Sequence, residues 1–377
     1  MFHRFTRSIL AAVMITTLTT TAAHAAVLED PAQGTPEIKS INVISFAPEG
    51  VLLIGDGRGS QVIAVATGDT KKGQGLVKPI DGIAAALAET IGAKLKDIEI
   101  IDLAVNPASG KAYFAVMRKD QKRNLVLTVD GAGEIDEFAL EDVTYARIPL
   151  ETGSKAIISN ITDVAWADDR IVAAGRSNES FSSKIFSVYA PLKHDATSAG
   201  YSAETYHVSH RRWETKAPMS VVMPLKEGDK TYIVGAFSCT PVVKYPLDSL
   251  KPDAVVKGTS VIELGSGNKP LDMFSYEKDG KLYVLSNTFR FHHSRKPFGP
   301  SPYWTVRFEQ SLLSQNAKVN EEAVQRLGGG YKPITDQIQL IEAYHGVVQM
   351  DRLDETRALV MKTTEGGDFN LEPLPLP

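Results

Sequence analysis

The chain has 377 residues, 43% of them apolar, and a formal charge of −4 at neutral pH. That is enough apolar material to bury a large core, as one big domain or two ordinary ones. A mildly acidic balance argues against a general nucleic-acid binder, which needs clustered Lys and Arg. The single cysteine, Cys239, excludes an intrachain disulfide, a CxxCH haem attachment and a four-cysteine zinc site.

The chain opens with the pattern of a secretory signal. Arg4 and Arg7 form a short basic start, Ile9 to Leu18 is an apolar run broken only by threonines, and Ala23-His24-Ala25 is an A-x-A cleavage site. Cleavage after Ala25 removes two arginines and takes the formal charge from −4 to −6, since no acidic residue precedes Glu29. The expected destination is the periplasm or the extracellular space. The apolar run is too short for a permanent bilayer helix, and nothing after it approaches the length of a membrane span.

Residues 26–377 read as one repeat domain. Asn42 to Phe46 and Val51 to Ile54 flank a Pro-Glu-Gly turn, followed by GDGRG and a third strand, Gln61 to Ala66. From Leu76 to Lys96 the pattern changes. Ile80, Ile83, Leu87, Ile91 and Leu95 recur at three- and four-residue steps, which predicts an amphipathic helix packed on a sheet, weakened near its ends by Gly82 and Gly92.

Hairpins then recur as IIDLAVNPASGKAYFAV, ITDVAWADDRIVAAG, MSVVMPLKEGDKTYIVGAF, PLDMFSYEKDGKLYVLSN and HGVVQMDRLDETRALVM. Lys278-Asp279-Gly280 between two apolar runs is the clearest of the turns. The unit openings Asp102, Asp163, Ser220 and Asp272 lie 61, 57 and 52 residues apart. This period, with about four short strands per unit, predicts an all-β fold: a β-propeller of four-stranded antiparallel blades. Six blades are expected. A seventh hidden between Phe291 and Gln339 is the alternative, and a second short helix is expected near Asn320 to Arg326.

The pieces ITDVAWADDRIVAAGRSNESFSS, ETYHVSHRRWETKAP, FSCTPVVKYPLDSLKPDAVVKGTSVIELGSGNKPLDM and GVVQMDRLDETRALV resemble segments of an uncharacterised family of secreted bacterial propeller-like proteins. The likeness spans roughly Asp81 to Val360. It implies a fold and a compartment, and no reaction. Phe291 to Phe308 departs from it, being longer and more basic.

In a propeller the loops between second and third strands, and those between blades, share the face at the channel mouth. Asn178, Glu179, Cys239 and Asn287 follow second strands, while His207, His210, Trp213, Glu214 and Asn268 fall in blade-to-blade connections. Asn178, Glu179, Asn268, Asn287 and Trp213 are accordingly candidate ligand contacts, because loops on a rigid scaffold are where sites are built.

His207, His210 and Glu214, with Cys239 as a soft fourth, are suitable ligands for a first-row divalent metal. Their spacing matches no diagnostic motif, and the competing reading is a loop pinned by hydrogen bonds. Asp102, Asp163 and Asp272 converge on the channel and are candidate oxygen ligands for Ca²⁺ or Mg²⁺, as in the lactonase-type six-bladed propellers. The competing reading makes each a cap for backbone amides of its neighbour. GDGRG lacks the Lys-Ser/Thr pair and the helix of a phosphate loop. The sequence therefore favours a propeller that binds a small molecule or protein partner at its channel mouth. The alternative is a metal-dependent, lactonase-like hydrolase using one divalent ion.

Overall fold

The computed structural model describes residues 26–377 apart from 152–155, 208–211, 240, 252–253, 265–266, 296–298, 315–324 and 327–337. Six mainly antiparallel sheets form the blades of a propeller. Their inner strands are Val43–Ala47, Ile98–Val105, Ile158–Ala167, Met219–Glu227, Asn268–Lys278 and Val347–Arg352, which define blades 1 to 6 in chain order. The six inner strands start on one face, the mouth, and run toward the other. No seventh blade occurs among the described residues, the remaining sheet being a two-stranded parallel pair of Leu28–Glu29 with Leu192–Lys193; the described parts of 291–340 supply outer strands and turns of blades 4 and 5.

The turns form where the sequence put them. Asp279 and Gly280 take φ of 52° and 72°, the left-handed pair of a two-residue hairpin turn, between strands Asn268–Lys278 and Lys281–Arg290. The predicted helix is shorter than its apolar repeat. Helix α1 spans Ile83–Thr90, with Gly82 at its N-cap and Gly92 just beyond its end. Its buried face is Ile83, Ala84, Leu87 and Ala88. The region of the expected second helix lies largely outside the described residues, and within it Gln325–Arg326 is a short strand paired in parallel with Ile262–Glu263.

Blade order around the ring is not chain order. Blade 1 takes its first three strands from Val43–Ala47, Val51–Asp56 and Gln61–Ala66, but its fourth, Val143–Pro149, arrives only after blade 2 is complete. Blade 2 stands between blade 1 and blade 6, because its inner strand packs against Val43–Ala47 on one side and Val347–Arg352 on the other. The ring therefore runs 2–1–3–4–5–6 and back to 2. The apolar core divides the same way, into six clusters with one between each adjacent pair of blades. Leu52, Ile54 and Ile63 meet Ala104, Tyr113 and Val126 between blades 1 and 2, for example. Burying each such aliphatic side chain contributes about 1.5–3 kcal/mol.

This order obliges the segment after Ala66 to cross beneath blade 2 on the far face. It passes so close to the turn at Gly131 that a Cβ there would lie 2.1 Å from the carbonyl oxygen of Gln74. The segment then pairs with blade 6, Ile80 and Leu371 exchanging two backbone hydrogen bonds of 2.9 Å. An early piece of chain thus closes the last blade, and α1 packs over the seam between blades 2 and 6.

Candidate functional site

The inner strands enclose a channel of about 1770 Å³ lined by all six blades. Asp102, Asp163 and Asp272 are on its wall, and the structure adds a fourth carboxylate, Asp351. Each reaches sideways to a backbone amide of the next inner strand. Asp102 Oδ2 accepts from Ile44 N at 2.7 Å, and Asp163 Oδ2 accepts from Val222 N at 2.7 Å. Asp272 Oδ2 accepts from Met350 N at 3.0 Å, and Asp351 Oδ2 accepts from Val105 N at 2.7 Å. All four bonds point the same way round the ring.

The local cause is a β-bulge. Register breaks fall between Ile100 and Asp102, Ile161 and Asp163, and Pro270 and Met273, leaving the carboxylate beside an irregularity that kinks its strand. In blade 6 the break lies between Val347 and Gln349, so Gln349 holds the equivalent position and its amide donates to the Ile101 carbonyl at 3.3 Å. Asp351 lies two residues on, on the same strand face. That period-two offset was the signal in GVVQMDR that could have found it.

Burial raises all four carboxyls. Asp351 is pushed up to about 6, Asp163 to about 7 and Asp272 to about 8, each chiefly by burial and against the amides that donate to it. Asp102 is raised well above its ordinary value by burial and then by Asp272 and Asp163. The clamps therefore bear on one another through the channel as well as on their own strands.

Asn287 and Asn268 are framework residues at the mouth of blade 5. Asn287 is fully buried, donating to Asp272 Oδ2 at 3.0 Å and accepting from Asp272 N at 2.7 Å. Asn268 Nδ2 donates to the Leu264 carbonyl at 2.9 Å, and the Asn268 backbone carbonyl accepts from Cys239 N at 2.9 Å. In blade 3, Asn178 Oδ1 accepts from Ile157 N at 3.0 Å, and Glu179 pairs with Lys184 at 2.8 Å. Trp213 packs edge-on to Tyr206 with the Lys257 ammonium 4.9 Å over its ring.

His207, Glu214 and Glu263 form a separate cluster at the rim. His207 is buried, with Nδ1 3.6 Å from Glu214 and Nε2 3.8 Å from Glu263, a partner that the sequence did not single out. The imidazole spans the two carboxylates, one at each nitrogen. His207 foremost, with the amides of Lys216 and Ala217, holds the Glu214 carboxyl down to about 2 against its burial. Cys239 lies on the same face, in the turn leading to Pro241, whose backbone pairs with Glu263. His210 lies outside the described residues. Among the described residues no group of three or more His, Cys, Asp or Glu is disposed to hold a metal ion. The channel lining includes Asp102, Asp163 and Asp272 but, among the described residues, none of the other candidates named from sequence.

The lining at the mouth has a character that the sequence reading missed. Arg176 of blade 3 and Lys269 of blade 5 are exposed there and line the channel, and neither makes an ion pair among the described residues. At the far end Arg357 is paired with Asp354 at 2.7 Å.

No family model matches the chain, and no curated protein does. Solved structures similar to it include Drosophila Semaphorin 1a, extracellular domains 1-2, at 10% identity and a TM-score of 0.40, covering 93% of this chain and 88% of that one. A GH43 endo-arabinanase from Bacillus licheniformis is similar at 10% identity and a TM-score of 0.36, covering 71% and 90%. Drosophila Plexin A in complex with Semaphorin 1b is similar at 8% identity and 0.36, covering 93% and 87%. Likenesses this distant carry no functional argument. The fold is a six-bladed β-propeller, the architecture expected from the repeats.

Proposed function

We propose that the protein is an exported binding propeller that holds a ligand or partner at its channel mouth, without a covalent intermediate. The observation that carries this reading is the commitment of the channel carboxylates. Each already gives an oxygen to an amide of the neighbouring blade, so they serve as braces of a rigid, open channel. Export rests on the A-x-A signal.

A thermal-shift screen of the mature protein against small molecules and peptides tests this, run beside two variants that narrow the channel. Ser159→Trp fills the mouth end and Ser275→Trp the far end, since both residues line it. Ligands of the wild type are expected to lose their effect in Ser159→Trp. If every stabilising ligand acts equally on wild type and both variants, the reading fails.

A further inference from the structure

Between Asp279 and Glu309 the chain has no acidic residue, yet it carries Lys281, Arg290, Arg295, Lys296 and Arg307. In a chain of net charge −4 this is a strong local reversal. The fold distributes it unevenly. At the far end of blade 5, Lys281 is paired with Glu309 at 2.8 Å and Arg307 is hydrogen-bonded to Gln339. At the mouth end Lys269 and Arg295 are exposed with no ion pair among the described residues.

The same end carries a run of rings. Lys269 stands opposite Phe289 in register, and Phe289 stands opposite Tyr303. Phe289 packs against Tyr303 with ring centres 5.1 Å apart, and against Phe291 at 5.8 Å and 82°. Phe291 remains 47% exposed beside these rings. Its backbone is held in place, Phe291 N donating to the Gly267 carbonyl at 2.9 Å, so the turn that bears Arg295 rests on the connection leading to Lys269. Lys269 in turn lines the channel together with Arg176.

We propose that this edge of the channel mouth docks an acidic peptide segment of a partner protein, one that presents at least one large apolar side chain. The inference rests on the reading of the mouth as a binding face and names its partner. Exposed cations with no ion pair among the described residues, on the same edge as an apolar aromatic cluster, are the complement of such a segment. Phe289 and Phe291 meet edge to face and neither can hydrogen-bond, a surface that suits apolar side chains better than a sugar acid.

The test uses the full mature chain and a fluorescein-labelled hexapeptide, Glu-Phe-Glu-Glu-Phe-Glu, followed by anisotropy. Saturable binding is expected, weakening at least roughly tenfold between about 50 and about 300 mM salt. The double charge reversal Lys269→Glu with Arg295→Glu should weaken it at least roughly tenfold, as should Phe291→Ala, whereas Lys230→Glu on the far face should not. Circular dichroism and thermal unfolding establish that each variant is folded. Equal binding of the Lys-for-Glu peptide, or indifference to the double reversal, overturns the proposal. So does an oligouronate that binds with this variant pattern when the peptide does not. If the peptide fails while other ligands remain sensitive to Ser159→Trp, the binding face stands and only its assignment to an acidic peptide falls.

Discussion

Asp272 and Asn287 hold each other through two hydrogen bonds, Asp272 N to Asn287 Oδ1 at 2.7 Å and Asn287 Nδ2 to Asp272 Oδ2 at 3.0 Å. The same Asp272 oxygen then accepts the Met350 amide of blade 6, and Asn287 donates again to the Val347 carbonyl at 3.3 Å. Two residues that read from sequence as a metal ligand and a ligand contact form one brace between blades 5 and 6. Truncating either to Ala is expected to cost about 1–3 kcal/mol, because buried polar groups lose their partners. In a double-mutant cycle read by urea unfolding, the two losses should be strongly non-additive. Simple additivity would separate the pair.

The channel carboxylates make stability depend on pH in a defined direction. Asp351, Asp163 and Asp272 titrate at about 6, 7 and 8 in the folded ring against an ordinary 3.8. The folded protein therefore holds these protons more tightly than the unfolded chain does. Their contribution to stability is fully present below the unfolded value and is lost as pH rises through about 6 to 8. Urea midpoints measured across this range should fall with rising pH. Asp163→Asn and Asp272→Asn should each flatten the slope, since the amide oxygen still accepts the neighbouring N–H. A midpoint that rises across the window contradicts the assignment.

Helix α1 depends on a residue far along the chain. Asp368, in the turn between blade 6 strands Arg357–Thr363 and Phe369–Pro375, accepts from Ala84 N at 3.0 Å and Ala85 N at 3.2 Å. Gly82 at the N-cap has no side chain to offer, so Asp368 serves in its place. Asp368→Ala should cost about 1 kcal/mol, with faster amide exchange at the start of α1. Unchanged exchange there would remove the cap from the account.

The segment that crosses beneath blade 2 passes Gly131 at close range. Gly131→Ala forces a Cβ against the Gln74 carbonyl, and overpacking of this kind costs about 1–3 kcal/mol. The variant should unfold at lower temperature and be cleaved faster by trypsin at Lys71 or Lys72. Wild-type behaviour would mean that the crossing segment yields without loss.

The strands, the hairpin turns, the count of six and the aspartates that open the units were legible in the sequence, because each is a local property. Alternating burial specifies a strand and its inner face, Asp279-Gly280 specifies a turn, and the recurring Asp102, Asp163 and Asp272 mark equivalent positions. What each of these faces was decided by the tertiary structure. Alternation says that Ile54 is buried but not that Ala104 and Tyr113 lie in the cluster with it, so the exchange of blades 1 and 2 around the ring leaves no periodic trace. The pairing of His207 with Glu263, 56 residues on, and the capping of α1 by Asp368 follow from that packing. The hydrogen-bond partner of each channel carboxylate likewise appears only in three dimensions. A carboxylate beside a bulge has a ligand's chemistry and a brace's chemistry at once, and the amide at 2.7–3.0 Å that completes the brace comes from a neighbouring strand that no local sequence pattern identifies.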